Sequence, residues 1–216
     1  MKSKLKILTL IIVSAVSLAV SSCSSSLMNL QTAKKQVQEY YESGKYSKDL
    51  KEIISTAEDQ INNVNLTTNS VVVFDVDETA LSNYDAVTKV HFGYVESMWN
   101  DWINESKAPA IPEVKALYDF VIAKNITVIF ITGRDISQFD VTYKNLKNAG
   151  YTKFDTLILK NNSIHQSTGK YKWDKRKELS AKGFNIIASV GDQESDFEGG
   201  DYGIKIKLPN YLYLIK

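Results

Sequence analysis

Apolar residues follow two rhythms along this chain. Val71-Val72-Val73-Phe74, Ile126-Thr127-Val128-Ile129-Phe130-Ile131 and Ile186-Ile187-Ala188-Ser189-Val190 are unbroken β-branched and aromatic runs. Such runs predict strands covered on both faces, as in parallel sheets. With two shorter segments they give predicted strands near 71–75, 126–131, 156–159, 186–190 and 204–208. Between them the pattern turns helical: Pro112 and Glu113 open one predicted helix, and Gly150 follows another. Upstream, Leu50, Ile53, Ile54, Ala57, Ile61 and Val64 recur at helical spacing behind Ser47, a fair N-cap, so one face of that helix is buried. The alternation predicts an α/β fold: a three-layer Rossmann-like parallel sheet over 67–216, with N-terminal helices at 29–66 packed on it. A small aromatic-rich helical insert occupies 81–110. There Val95, Met98, Trp99, Trp102 and Ile103 share one helical stripe, read as core, although the insert also follows an acidic strand end where aromatics would border a pocket.

Composition changes this picture mainly at the N-terminus. The 216 residues are 44% hydrophobic and 24% charged, ordinary for a globular domain, and a net charge of +1 offers no field for nucleic acid. Lys2, Lys4 and Lys6 precede the apolar segment Ile7–Val20, so residues 1–22 read as a signal peptide. Val20-Ser21-Ser22-Cys23 resembles a bacterial lipoprotein box, with 23–28 as a lipidated spacer. The expectation is an exported protein anchored through lipid on Cys23 to a bacterial membrane, at the outer membrane or cell surface. Plain secretion with an unmodified thiol is the alternative. With a single cysteine the fold contains no internal disulfide.

The candidate chemistry sits where predicted strands end. Asp75-Val76-Asp77-Glu78-Thr79 follows the first run and places two carboxylates two residues apart, at the edge where parallel sheets collect ligands. Desolvated acids there call for a nearby cation. Thr132-Gly133-Arg134-Asp135 ends the second strand and offers a hydroxyl and a glycine amide to phosphate oxygens. Gly191-Asp192 through Asp196 ends another strand with a second acid pair. Lys172 supplies a cation between them, although its cluster with Lys170, Lys175, Arg176 and Lys177 is equally a solvated helix face. Arg134 either touches phosphate or pairs with a carboxylate near the pocket.

Taken in order, these segments resemble the acid phosphatases of the haloacid dehalogenase superfamily, in the group of class B and class C bacterial enzymes and plant vegetative storage proteins. Asp75 through Asn83, Ile131–Arg134, Tyr171-Lys172 with Lys175-Arg176, Gly191-Asp192-Gln193 with Asp196, and Lys207–Asn210 with Tyr213 carry the likeness, which runs from about residue 28 to the end. Many bacterial relatives have aspartate where this chain has Val76. The resemblance implies an Mg²⁺-dependent phosphatase acting on small phosphate monoesters, 5′-nucleotides among the candidates. Asp75 would be the nucleophile and Asp77 the general acid/base. Asp75, Asp192 and the backbone carbonyl of Asp77 would hold the metal. Thr132, Gly133 and Lys172 would bind phosphate, and Asp196 would orient Lys172. Two other readings share the fold: a phosphotransferase with the same aspartyl intermediate, and a catalytically silent storage or binding protein. Cys23 lies far from any phosphate loop, and His91 and His165 are too few for a dinuclear imidazole site, so cysteine- and histidine-based phosphatases are excluded. His165 reads as an exposed loop residue.

Overall fold

The computed structural model describes residues 27–215. Cys23 and the expected signal segment lie outside the described residues. Five strands, β1 (Ser70–Phe74), β2 (Thr127–Asp135), β3 (Thr156–Lys160), β4 (Asn185–Gly191) and β5 (Ile204–Lys207), form one sheet in the order β3-β2-β1-β4-β5. Every pairing is parallel. Among the described residues seven α-helices accompany it: α1 (Leu30–Glu42), α2 (Lys45–Asn62), α3 (Tyr84–Lys89), α4 (Glu96–Glu105), α5 (Pro112–Ala123), α6 (Phe139–Asn148) and α7 (Thr168–Ala181).

The unbroken apolar runs are explained by burial on both sides. Val72, Phe74, Val128 and Phe130 join α2, α5 and α6 in the larger core. Val71, Val73, Ile129 and Ile131 pack instead against Tyr171 and Leu179 of α7. Successive side chains of a strand point to opposite faces, so both halves of each run are needed to build three layers. Pro112 opens α5, and Gly150 follows α6 in a left-handed conformation, as the sequence predicts.

Two expectations fail. Ser47 is not an N-cap: α2 begins two residues earlier, after Gly44 at φ 86°, and the Ser47 hydroxyl instead donates to Glu113 of α5. A tight turn from α1 needs the left-handed backbone that glycine tolerates, and this sets the helix start. The stripe from Val95 to Ile103 is not uniformly core. Trp102 and Ile103 are buried, whereas Val95 and Met98 are 45% and 46% exposed and Trp99 is half-buried. The insert is pinched at its neck by an antiparallel bridge between Leu81 and Ala110, and its outer half forms a wall of the main cleft.

Candidate active site

The strand order reverses at β1: the chain runs outward through β2 and β3, then returns to place β4 on the other side. Ligands of open α/β sheets bind at such a reversal, beyond the carboxyl ends. The ends of β2, β1 and β4 therefore converge, bringing the segments Asp75–Thr79, Thr132–Arg134 and Gly191–Asp196 to one cleft of about 860 Å³. The Asp75 amide donates to the Val190 carbonyl at 2.9 Å, tying the first loop to β4. Val76 is fully buried in the main core while Asp75 and Asp77 line the cleft, so an apolar residue between the acids anchors the loop.

Lys172 does not belong to a solvated face. It is 5% exposed, and its ammonium donates to Asp75 Oδ1 and Asp196 Oδ1, both at 2.5 Å. Lys170 and Lys177 point outward and pair with Asp174. Arg176, one turn beyond Lys172, is 1% exposed and donates to the carbonyls of Asp196, Glu198 and Gly200 at 2.6, 2.5 and 3.0 Å. Asp196 Oδ2 accepts from the Gln193 amide at 2.8 Å, so the loop that carries Asp192 closes on itself. A Cβ at position 191 would collide with that carboxylate, which explains the glycine.

Asp192 accepts from Asn210 and Gln193 at 2.6 Å and from Thr79 at 3.2 Å. Burial and the Asp196 charge push its carboxyl up to about 7. Burial also raises Asp75 well above the usual range. Lys172 opposes that rise, and Asp196, Asp192 and Asp77 add to it. Lys172 itself is held above the usual lysine range: Asp196 and Asp75 outweigh its burial. Glu78, buried and backed by Asp77, rises to about 7. It takes a hydrogen bond from the Tyr213 hydroxyl.

Asp77 behaves differently. Burial opposes its ionisation, but the Arg134 guanidinium overcomes that and holds the carboxyl below the ordinary value. Arg134 donates through Nη2 to Oδ1 at 2.6 Å and through Nε to both oxygens at 3.0–3.1 Å. Of the two sequence readings of Arg134, the structure has the carboxylate pair. Thr132 is fully buried and does not line the cleft; its hydroxyl accepts from the Arg134 amide at 3.2 Å. Gly133 does line it.

The donor set fits a hard divalent cation. Asp75 and Asp196 pair with Lys172 and Asp77 with Arg134, while the buried carboxylates of Glu78 and Asp192 have no ion-pair partner among the described residues. Oxygens of Asp75, Asp192 and Asp196 lie within 4.8 Å of one another. This cluster shares Asp75 and Asp192 with the expected ligand set. Its third member is Asp196; the ligand expected from residue 77 is a backbone carbonyl, and the Asp77 side chain is turned to Arg134. Asn83, Arg176 and Gln193 stand in the motifs that carry the family likeness but receive no role in the sequence reading, and Trp102 is read there only as part of the insert stripe.

Fold and cleft together define a Rossmann-like protein of the haloacid dehalogenase type. A family model described as HAD superfamily, subfamily IIIB (acid phosphatase), matches residues 5–216. The Stem 28 kDa glycoprotein of Glycine max is 33% identical over 185 residues, covering 82% of this chain and 73% of that protein. Acid phosphatase 1 of Solanum lycopersicum is 35% identical over 150 residues, 67% of this chain and 59% of its own length. A class C acid phosphatase from Bacillus anthracis, solved with tungstate bound, superposes with a TM-score of 0.71 at 24% identity, covering 86% of each chain, and shows the same fold. The chain belongs to subfamily IIIB of the HAD superfamily, the acid phosphatases.

Proposed function

We propose that this chain hydrolyses phosphate monoesters through an aspartyl phosphate on Asp75, with Mg²⁺ as cofactor. The observation that carries this reading is the meeting of Asp75, Asp77, Lys172 and Asp192 at one cleft, although they come from separated loops and a helix. The tungstate in the Bacillus anthracis enzyme is a phosphate-like oxyanion and supports it. Asp75 attacks phosphorus, and Lys172 neutralises charge on the entering phosphoryl group. Asp77 hands a proton to the leaving oxygen and later takes one from the attacking water. Its ionised form, held by Arg134, suits the second task. The first requires a proton, which incoming phosphate oxygens favour by competing for the guanidinium. The side chains of Asp75 and Asp192 and the Asp77 carbonyl would hold Mg²⁺, which supplies the charge that lets a carboxylate approach an anionic ester. Tyr94 and Trp99 face the same cleft, with ring centroids 6.3 Å apart, and favour esters with a flat leaving group, 5′-nucleotides included. The test is release of inorganic phosphate from an aryl phosphate, a simple alkyl phosphate and a 5′-nucleotide, with Mg²⁺ or with chelator. Adding nucleoside detects transfer to an alcohol. No phosphate release under any of these conditions would sink the reading.

The crowding of acids gives a prediction independent of turnover. Asp192 and Glu78 rise from 3.8 and 4.5 to about 7, so the fold favours their protonated forms. Their contribution to stability is present below about pH 4 and is lost as pH rises through about 7. With chelator, the melting temperature therefore falls between pH 5 and pH 7. Mg²⁺ at about 100 times its dissociation constant raises it by about 5–10 °C at pH 7 and by less at pH 5. A Mg²⁺ effect equal at both values in differential scanning fluorimetry contradicts the assignment.

We also propose that the mature chain begins at a lipid-modified Cys23. The motif Val20-Ser21-Ser22-Cys23 behind a basic and apolar leader supports this. Mass spectrometry of the N-terminal peptide from a bacterial membrane fraction is expected to find acyl chains on this residue. A free thiol on a secreted chain rejects it.

A further inference from the structure

Asn83 is fully buried at the start of α3, and every polar atom of its side chain is committed. Its Nδ2 donates to Asp77 Oδ1 at 2.8 Å and, at 3.4 Å, to Glu78 Oε2, while its Oδ1 accepts from the indole Nε1 of Trp102 at 2.8 Å. The backbone amide of Asn83 donates to Glu78 Oε1 at 2.8 Å. An indole N–H is a donor only. Trp102 therefore decides which end of the amide faces Asp77: a flipped Asn83 would set its oxygen against a carboxylate and its NH₂ against another donor. Trp102 is 7% exposed, with the ammonium groups of Lys89 and Lys107 5.3 and 5.7 Å from its ring. It belongs to α4, the insert helix whose first turn presents Met98 and Trp99 to the cleft.

The two oxygens of Asp77 are treated unequally. Oδ1 receives Arg134 Nη2 at 2.6 Å, Asn83 Nδ2 at 2.8 Å and Arg134 Nε at 3.1 Å. Oδ2 receives only Arg134 Nε, at 3.0 Å. An oxygen already holding three donors is a poor site for a proton, so Oδ2 is left to exchange one. We infer that Asn83 and Trp102 are positioning residues for Asp77: the insert, through Trp102 and then Asn83, saturates Oδ1 and turns Oδ2 toward proton exchange with the ester's leaving oxygen and with water. This rests on the reading of Asp77 as the acid/base group. It adds a function for the insert: α4, which walls the cleft along its length, also orients the acid through Trp102.

The experiment compares wild type, Asp77→Asn, Trp102→Phe, Asn83→Ala and the Trp102→Phe/Asn83→Ala double variant on esters running from nitrophenyl phosphate to simple alkyl phosphates. A poor leaving group depends on the proton and a good one does not. For Asp77→Asn the loss in kcat grows along the series to about 10²–10⁴-fold. Trp102→Phe keeps an aromatic ring and removes the N–H. It should cost about 5–10-fold in kcat on alkyl esters and under about twofold on nitrophenyl phosphate, with KM unchanged. In the Asn83→Ala background it should add nothing, because the two act in one chain. Should Trp102→Phe fail to fold, the leaving-group dependence of Asn83→Ala carries the same prediction. Losses uniform across the series, or additive in the double variant, overturn the positioning role while leaving Asp77 in place. A flat series for Asp77→Asn removes the acid/base reading and this inference with it.

Discussion

Asp75→Asn is expected to lose at least about 10⁴ in kcat on an aryl phosphate while melting no lower than wild type. The first half follows from chemistry: a carboxamide oxygen does not attack phosphorus to form a covalent intermediate. The second follows from the cluster. The substituted carboxamide has the same shape as the carboxylate, and its oxygen still accepts the bond that Lys172 gives at 2.5 Å. One negative charge leaves a pocket in which burial and the charges of Asp196, Asp192 and Asp77 all oppose ionisation of Asp75. In chelator the variant should therefore melt slightly higher, and with Mg²⁺ the advantage should disappear because a ligand is gone. Activity within tenfold of wild type, in protein free of trace enzyme, would transfer the nucleophile's role elsewhere. Lost activity with a collapsed melting temperature would show Asp75 to be a structural acid.

The architecture is legible in the sequence because strands buried on two faces cannot hide: Val71 to Phe74 has no polar residue to confuse its period. The site is legible to the extent that its residues stand at strand ends. Asp75, Asp77, Gly133 and Asp192 reach the cleft for that reason alone. Lys172 is harder. Its helix has almost no apolar face, and its charge run looks solvated until the carboxylates of Asp75 and Asp196, 97 and 24 residues away, are placed against it. The tie between Asn83 and Trp102 is invisible for the same reason: a buried hydrogen bond leaves no periodic trace. The α4 stripe misleads because helical spacing shows which residues share a face, not whether that face meets protein or a cleft.

Arg176→Met is expected to cost about 3–5 kcal/mol of stability, the largest loss from any single change on α7 outside Lys172. Among the described residues, Arg176 is the largest side chain to be almost fully buried, and it forms no ion pair. Its three nitrogens hold the carbonyls of Asp196, which ends a 3₁₀ turn, and of Glu198 and Gly200 in the loop that follows. Methionine fills much of the volume but leaves the buried carbonyl of Asp196 without its donor and strips the charge-assisted bonds from the carbonyls of Glu198, which keeps the Gly200 amide at 3.1 Å, and of Gly200. Arg176→Lys should recover little, because a single ammonium on a flexible stem cannot span three acceptors that a planar fork reaches together. The loss corresponds to a melting temperature lower by about 10 °C and is read directly from urea unfolding. The loop carries Asp196, whose carboxylate holds Lys172 against the nucleophile, so kcat should fall with stability even well below the transition. Stability within about 1 kcal/mol of wild type would mean that the loop carbonyls find water as readily as they find arginine.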